Sequence, residues 1–155
     1  MGRVSTARPD VRSGQMATIL LVDNDPLQAY LCRSLLNRRF QNVRRVSDAA
    51  EALCLVEQPQ FAGDLGLVIS GHPMPGIGGP AFVAELHNRV PSVPVLVLGD
   101  SSEKPDDYKG EYVRFLPRPV ASEDILSAAG QMLSKNGKNS NGSASLPANA
   151  TASGR

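Results

Sequence analysis

The chain has 155 residues, of which 41% are hydrophobic, and its formal net charge is +1. This composition is typical of one folded domain with tails and excludes a chain that is disordered throughout. Basic residues collect near both ends and leave the middle mildly acidic, which argues against nucleic acid as a partner. Because the chain has no run of about 18 apolar residues and no secretory signal, no membrane partner is expected and the expected compartment is the cytoplasm.

The two ends differ in composition from the middle. Residues 1–16 are polar and aperiodic, and residues 135–155 are rich in Asn, Gly, Ser and Ala. We predict a disordered lead and a disordered tail around one domain at 17–134. Cys32 and Cys54 fall inside helical patterns without a His at ligand spacing, so both are predicted to be buried or half-buried thiols.

Apolar runs and helical stripes alternate along the middle of the chain. Strands are predicted at 18–23, 43–46, 65–70, 93–98 and 111–116, and helices at 27–40, 49–57, 80–88 and 122–134. Pro26 suits the first turn of the first helix and Asp25 its N-cap. Residues 99–110 contain no aliphatic side chain and have Pro105 in their middle, which predicts a fourth helix that is shortened or absent.

This alternation predicts an α/β fold with a doubly wound five-stranded parallel sheet. Three strands are apolar throughout, so helices should cover both of their faces. The strands at 43–46 and 111–116 carry arginines and should lie at the edges. The predicted order is therefore 2-1-3-4-5, which is flavodoxin-like winding.

In such a sheet, ligands bind beyond the carboxyl ends of the strands, where the strand order reverses. The residues at those ends are the candidate site, and we call this set the corner. It consists of Asp23 and Asn24 after the first strand, Gly71 after the third, Gly99 after the fourth, and Arg118 with Pro119 after the fifth.

Four segments resemble one family in both order and spacing: ILLVDNDP (19–26), VISGHPMPGIGG (68–79), VPVLVL (93–98) and FLPRP (115–119). Over about residues 17–134 the chain is similar to the receiver domains of bacterial response regulators, the CheY-like family. The resemblance implies an aspartate after the third strand that accepts a phosphoryl group from a histidine kinase. It also implies two acids that hold Mg²⁺, and a hydroxyl and a lysine that bind the phosphoryl oxygens.

The chain departs from that set at four of its five positions. Asp23 is retained, but Asn24 replaces the second acid, Gly71 the acceptor aspartate, Gly99 the hydroxyl residue and Arg118 the lysine. We therefore predict a degenerate pseudo-receiver without a cofactor, in which Mg²⁺ binding at Asp23 is weak or absent. Two further predictions concern Arg118. It should form an ion pair with Asp23, and the resemblance implies a cis peptide bond to Pro119.

These departures favour a stand-alone binding module over an enzyme. The predicted function is phosphate-independent protein–protein binding in two-component or phosphorelay signalling, with a histidine kinase or another regulator as partner. In the family, the fourth helix, fifth strand and fifth helix form a partner face, and Phe115 keeps its aromatic character there. Two alternatives stay open: an active receiver with an unorthodox acceptor, and a small-molecule sensor that uses the vacated corner.

Overall fold

A computed structural model describes residues 17–71, 76–99, 108 and 110–142. Its strands are β1 (Thr18–Val22), β2 (Val43–Val46), β3 (Leu65–Ser70), β4 (Val95–Gly99) and β5 (Val113–Pro117). They form one parallel sheet in the order β2-β1-β3-β4-β5. The predicted flavodoxin-like order is confirmed, and the two strands that carry arginines lie at the edges.

The helices are α1 (Pro26–Leu36), α2 (Ala49–Val56), α3 (Pro59–Asp64), α4 (Gly79–Arg89) and α5 (Ser122–Gly142). Asp25 caps α1, because its carboxylate accepts hydrogen bonds from the backbone N–H groups of Leu27 at 3.0 Å and Gln28 at 3.3 Å. Asp48 caps α2 by accepting from the N–H of Glu51 at 2.8 Å. The predicted Asp25 cap therefore fixes the turn from β1 into α1, directly beside the corner.

The sheet is apolar on both faces because alternate residues of its central strands point to opposite sides. Leu20 and Val22 of β1 face the side that α2 and α4 cover, where Phe82 is fully buried. Ile19 and Leu21 face the other side, which α1 and α5 cover. With both faces of the sheet covered, its carboxyl edge is the place for a site.

Two helices differ from the prediction. Helix α3 was not predicted, because its six residues carry no apolar stripe, although Pro59 suits a first helical turn. The sequence predicts that α5 ends at residue 134, yet its backbone stays helical to Gly142. Adding a residue to an existing helix needs no new nucleation, so the weak helix formers after Ser134 do not end it there. The boundary of the domain at residue 134 and the disordered tail at 135–155 stay predictions.

Other predictions fall on residues outside the described ranges. The lead at 1–16, the end of the tail and most of the stretch predicted to lack a full fourth helix belong to this group. They stay predictions. No helix in the described part of the chain is long and apolar enough to cross a membrane.

Candidate functional site

Main-chain hydrogen bonds bring the predicted corner together at the carboxyl edge of the sheet. The N–H of Gly71 donates to the carbonyl oxygen of Val22 at 2.8 Å, and the N–H of Arg118 donates to that of Gly99 at 2.9 Å. These bonds continue the strand pairing just past the ends of β3 and β5. As a result, Asp23, Gly71, Gly99 and Arg118 follow neighbouring strands along one edge.

Asp23 is the buried charge of the corner, with 2% of its surface exposed. Its Oδ1 accepts a hydrogen bond from the N–H of Asp25 at 2.9 Å. Within the described ranges, no donor reaches its Oδ2. Leaving a buried carboxylate oxygen without a donor is costly. The corner therefore presents an acceptor that the described protein groups do not satisfy.

Gly71 leaves a space that Asp23 takes up. A Cβ atom on Gly71 would lie 2.8 Å from Cγ and 3.2 Å from Cβ of Asp23, and still closer to Oδ2. Real Cβ atoms do not approach other atoms this closely, so any side chain at position 71 requires Asp23 to move.

Arg45 holds the main chain of Asp23, a role that the sequence analysis missed. Its Nε and Nη2 donate to the carbonyl oxygen of Asp23 at 3.2 Å and 2.8 Å. Arg44 is exposed and Arg45 is half-buried, as strand alternation requires. The available signal was this alternation in β2, which assigns one of two adjacent arginines to a packed face.

Arg118 does not form the ion pair with Asp23 that we predicted. Its Nε donates to the carbonyl oxygen of Leu98 at 3.2 Å, and its Nη1 donates to Oε1 of Gln28 at 3.4 Å. Both partners of the predicted pair are described, and no ion pair joins them. The planar guanidinium instead bridges neutral oxygens of β4 and α1, for which its several donors are suited. The peptide bond to Pro119 is cis, as the resemblance implies.

The other predicted positions differ in exposure. Asn24 is exposed, whereas Gly99 is buried at the end of β4. Phe115 is half-buried and stacks on Tyr108, with ring centroids 5.4 Å apart and an interplanar angle of 24°. Its part in a partner face stays a prediction.

The residues present do not fit the Mg²⁺ that the resemblance implies. Oδ1 of Asp23 already accepts an N–H, Asn24 is exposed, Asp25 serves as a helix cap, and Gly71 has no ligand atom in a side chain. The described residues contain no group of three His, Cys, Asp or Glu side chains that could hold a metal ion. Mg²⁺ demands near-octahedral oxygen ligation that is usually anchored by carboxylates.

A groove of about 900 Å³ opens beside the corner, between α1 and the start of α5. Apolar walls and a few polar groups line it, as in many small-molecule sites. Its apolar walls include Leu31, Leu35, Leu98, Val120 and Ile125, and its polar groups include Asp23, Gln28, Cys32, Arg118 and Ser122. This groove could not be predicted from the sequence, because the residues that line it come from elements far apart in the chain.

Cys32 lines this groove, and the charges of Asp23 and Arg118 both affect the pKa of its thiol. The pKa of the thiol is raised from 9.0 to about 11, first by burial and then by the negative charge of Asp23, while the positive charge of Arg118 acts to lower it. Cys32 is half-buried as predicted, but Cys54 is exposed, which corrects the prediction for that residue. The exposure of Cys54 follows from its place on the outer side of α2.

Helix α1 carries an exposed apolar patch, formed by Leu27 (63% exposed), Tyr30 (67%) and Leu31 (51%). Their i, i+3, i+4 spacing places them together on one side of the helix, and we call them the α1 patch. Residues 26–47, which include the patch, contain five arginines and no acid. Such a surface suits a partner with apolar and acidic side chains.

Comparisons with known proteins agree with this geometry. The family described as "Response regulator receiver domain" matches residues 19–130. The sensor kinase CckA of Brucella abortus is 26% identical over 129 residues, which are 79% of this chain and 13% of that protein. The C4-dicarboxylate transport transcriptional regulatory protein DctD of Pseudomonas aeruginosa is 26% identical over 118 residues, 74% of this chain and 25% of that protein. The chain thus spans a quarter or less of these relatives.

Solved structures show the same fold. The receiver domain from the hybrid histidine kinase CckA has a TM-score of 0.63 at 28% identity and covers 76% of this chain and 99% of that one. A response regulator receiver domain protein from Clostridium thermocellum has a TM-score of 0.68 at 21% identity, covering 77% of this chain and 95% of that one.

Proposed function

We propose a function from one premise: the chain belongs to the response regulator receiver domain family, whose members serve in two-component signalling. Within that setting we assign it a binding role that does not depend on phosphorylation. It acts as a pseudo-receiver that recognises a signalling protein, a histidine kinase or another regulator, and it has no enzymatic role of its own. The main support for this proposal is the geometry of the corner, and the exposed α1 patch is the second support.

The observation that carries the proposal is that the carboxylate of Asp23 lies against Gly71, where a side chain at position 71 would begin. Phosphoryl transfer to a receiver needs a carboxylate nucleophile, a metal ion and donors for the transferred charge. Position 71 offers no nucleophile, and the Asp23 carboxylate stands where a side chain would enter. Arg118 is engaged by Leu98 and Gln28. A module with this corner signals through binding.

The α1 patch is the docking surface that we favour. Leu27, Tyr30 and Leu31 are each more than half exposed, whereas Phe115 is half-buried against Tyr108. Exposed apolar side chains at i, i+3 and i+4 are the anchors by which a helix packs against a partner. Arg33, which is exposed on the same helix, would pair with an acidic group of the partner beside the apolar contact.

The proposal is tested by affinity capture from the native cell, with the wild-type chain and two variants. We expect a partner that binds the wild type equally with and without acetyl phosphate and Mg²⁺. Tyr30→Ser should lose it, because the variant removes an exposed apolar anchor that does not line the groove, at little cost in stability, and Phe115→Leu should retain it. Capture only in the presence of the phosphodonor would contradict phosphate independence. Loss only in Phe115→Leu would move the docking surface to the face around β5.

A further inference from the structure

We propose that the groove between α1 and α5 is a binding site for a small zwitterion with an apolar body, of the class of the apolar α-amino acids. The site would use Asp23 for the ammonium group, Arg118 for the carboxylate and the aliphatic walls for the side chain. This proposal is independent of partner docking, because the groove and the α1 patch share only Leu31.

The position proposed for the ammonium group follows from the burial and the hydrogen bonding of Asp23. Asp23 is 2% exposed and lines the groove, and among the described residues its carboxylate accepts one hydrogen bond, from the N–H of Asp25 to Oδ1. Throughout the described ranges no donor contacts Oδ2. A buried carboxylate oxygen gains most from a charged donor, and an ammonium group supplies one. Mg²⁺ is a poor candidate for this place, since Asn24 and Gly71 do not complete its ligand set.

The carboxylate position follows from the donors that Arg118 leaves unused. Nε and Nη1 donate to Leu98 and Gln28, the latter at a long 3.4 Å, while Nη2 has no acceptor among the described groups. A guanidinium binds a carboxylate through two of its donors side by side. Asp23 and Arg118 both line the groove, together with Cys32.

The apolar body follows from the walls. Leu31 and Leu35 of α1 line the groove together with Val120 and Ile125. The volume of about 900 Å³ lies within the usual size of small-molecule sites and exceeds the needs of a single ion. A ligand with only one charge would leave either Asp23 or Arg118 unpaired in an apolar cleft, at a cost in affinity. A zwitterion with an aliphatic or aromatic side chain satisfies all three parts.

The proposal is tested by titrating the full chain with L-leucine and L-phenylalanine, using calorimetry together with NMR chemical shifts. We expect saturable binding with shifts at Leu31, Val120 and Ile125. On the wild-type chain, N-acetyl-L-leucine lacks the ammonium and L-leucinamide lacks the carboxylate, and each should bind about tenfold more weakly or worse. This comparison uses no variant, so it holds whether or not substitutions fold.

Three variants then assign the contacts. Asp23→Asn and Arg118→Gln should each weaken L-leucine binding about tenfold or more. Arg114→Gln is the matched control, because Arg114 is exposed on β5, which ends just before Arg118, and it donates to Gln131, which does not line the groove. Absence of saturation with both amino acids would overturn the proposal. Equal binding of the blocked analogues, or unchanged affinity in folded Asp23→Asn and Arg118→Gln, would overturn it as well.

Discussion

At the scale of single residues, the position of the Asp23 side chain depends on the glycine at position 71. The carboxylate of Asp23 lies where a side chain at position 71 would begin, so the two residues can be understood only together. Arg45 adds a positive charge beside the two residues through the main chain of Asp23, and Arg118 is held by neutral oxygens beside it.

The clamp from Arg45 is expected to contribute measurably to stability. Arg45→Ala removes two charged hydrogen bonds to the carbonyl oxygen of Asp23 and should lower the free energy of unfolding by about 1.5–3 kcal/mol. Arg44→Ala, at the exposed neighbouring position, should change it by less than about 0.5 kcal/mol. Urea unfolding of both variants measures the difference. Equal effects of the two substitutions would contradict the clamp.

The two cysteines should differ in reactivity with pH. The pKa of Cys32 is raised to about 11, so its thiol stays protonated at pH 9, while the exposed Cys54 is accessible to reagent. Iodoacetamide at pH 9 should therefore alkylate Cys54 first, as peptide mass analysis would show. Because the unfolded thiol ionises near 9, the contribution of Cys32 to stability should fall as pH rises from about 9 to 11. In a Cys54→Ser chain, alkylation as fast as that of Cys54 in the wild type would contradict this placement.

At the scale of elements, the fold could be predicted where the strands are apolar along their whole length. The central strands TILLV, LGLVIS and VLVLG are almost wholly buried, and a strand buried on both faces belongs to the middle of a parallel sheet. Asp25 and Pro26 marked the start of α1 correctly. Helix ends were less predictable: α3 carries no apolar stripe, and α5 continues through weak helix formers.

Packing of β3 against α5 depends on a glycine. Gly66 lies where the pairing of β1 with β3 shifts register, and a Cβ there would be 2.6 Å from Cβ of Ala17 and 2.9 Å from Cδ2 of Leu133. Gly66→Ala should therefore cost about 1–3 kcal/mol of unfolding free energy. Gly130→Ala is the control, since its Cβ would meet no atom within 4 Å, and alanine favours the helix by up to about 1 kcal/mol. A neutral Gly66→Ala in thermal or urea unfolding would contradict the packing.

For the whole molecule, the sequence predicts which residues lie together at the carboxyl edge of the sheet, but it does not predict which side chains bond to one another there. Strand order alone brings Asp23, Gly71, Gly99 and Arg118 to one edge of the sheet, so their neighbourhood could be predicted. The hydrogen bond between Arg118 and Gln28 joins residues 90 positions apart, and it depends on how α1 leans over the sheet. The groove and the Arg45 clamp depend on the same packing. Local patterns do not contain that information, and this is why the predicted pair of Arg118 with Asp23 is wrong.

The central claim is that this receiver fold has lost the chemistry of phosphoryl transfer. The measurement that tests it most directly is the intact mass of the chain after incubation with acetyl phosphate and Mg²⁺. A Gly71→Asp variant is treated in parallel. Its new carboxylate would meet that of Asp23 in a corner where, on our assignment, Asn24, Gly99 and Arg118 replace the second acid, the hydroxyl residue and the lysine of the family.

We predict no gain in mass for either chain under these conditions. A stable gain of one phosphoryl group on the wild type would contradict the claim, because it would reveal an acceptor other than position 71. Robust labelling of Gly71→Asp alone would contradict the part of the account that rests on Asn24, Gly99 and Arg118.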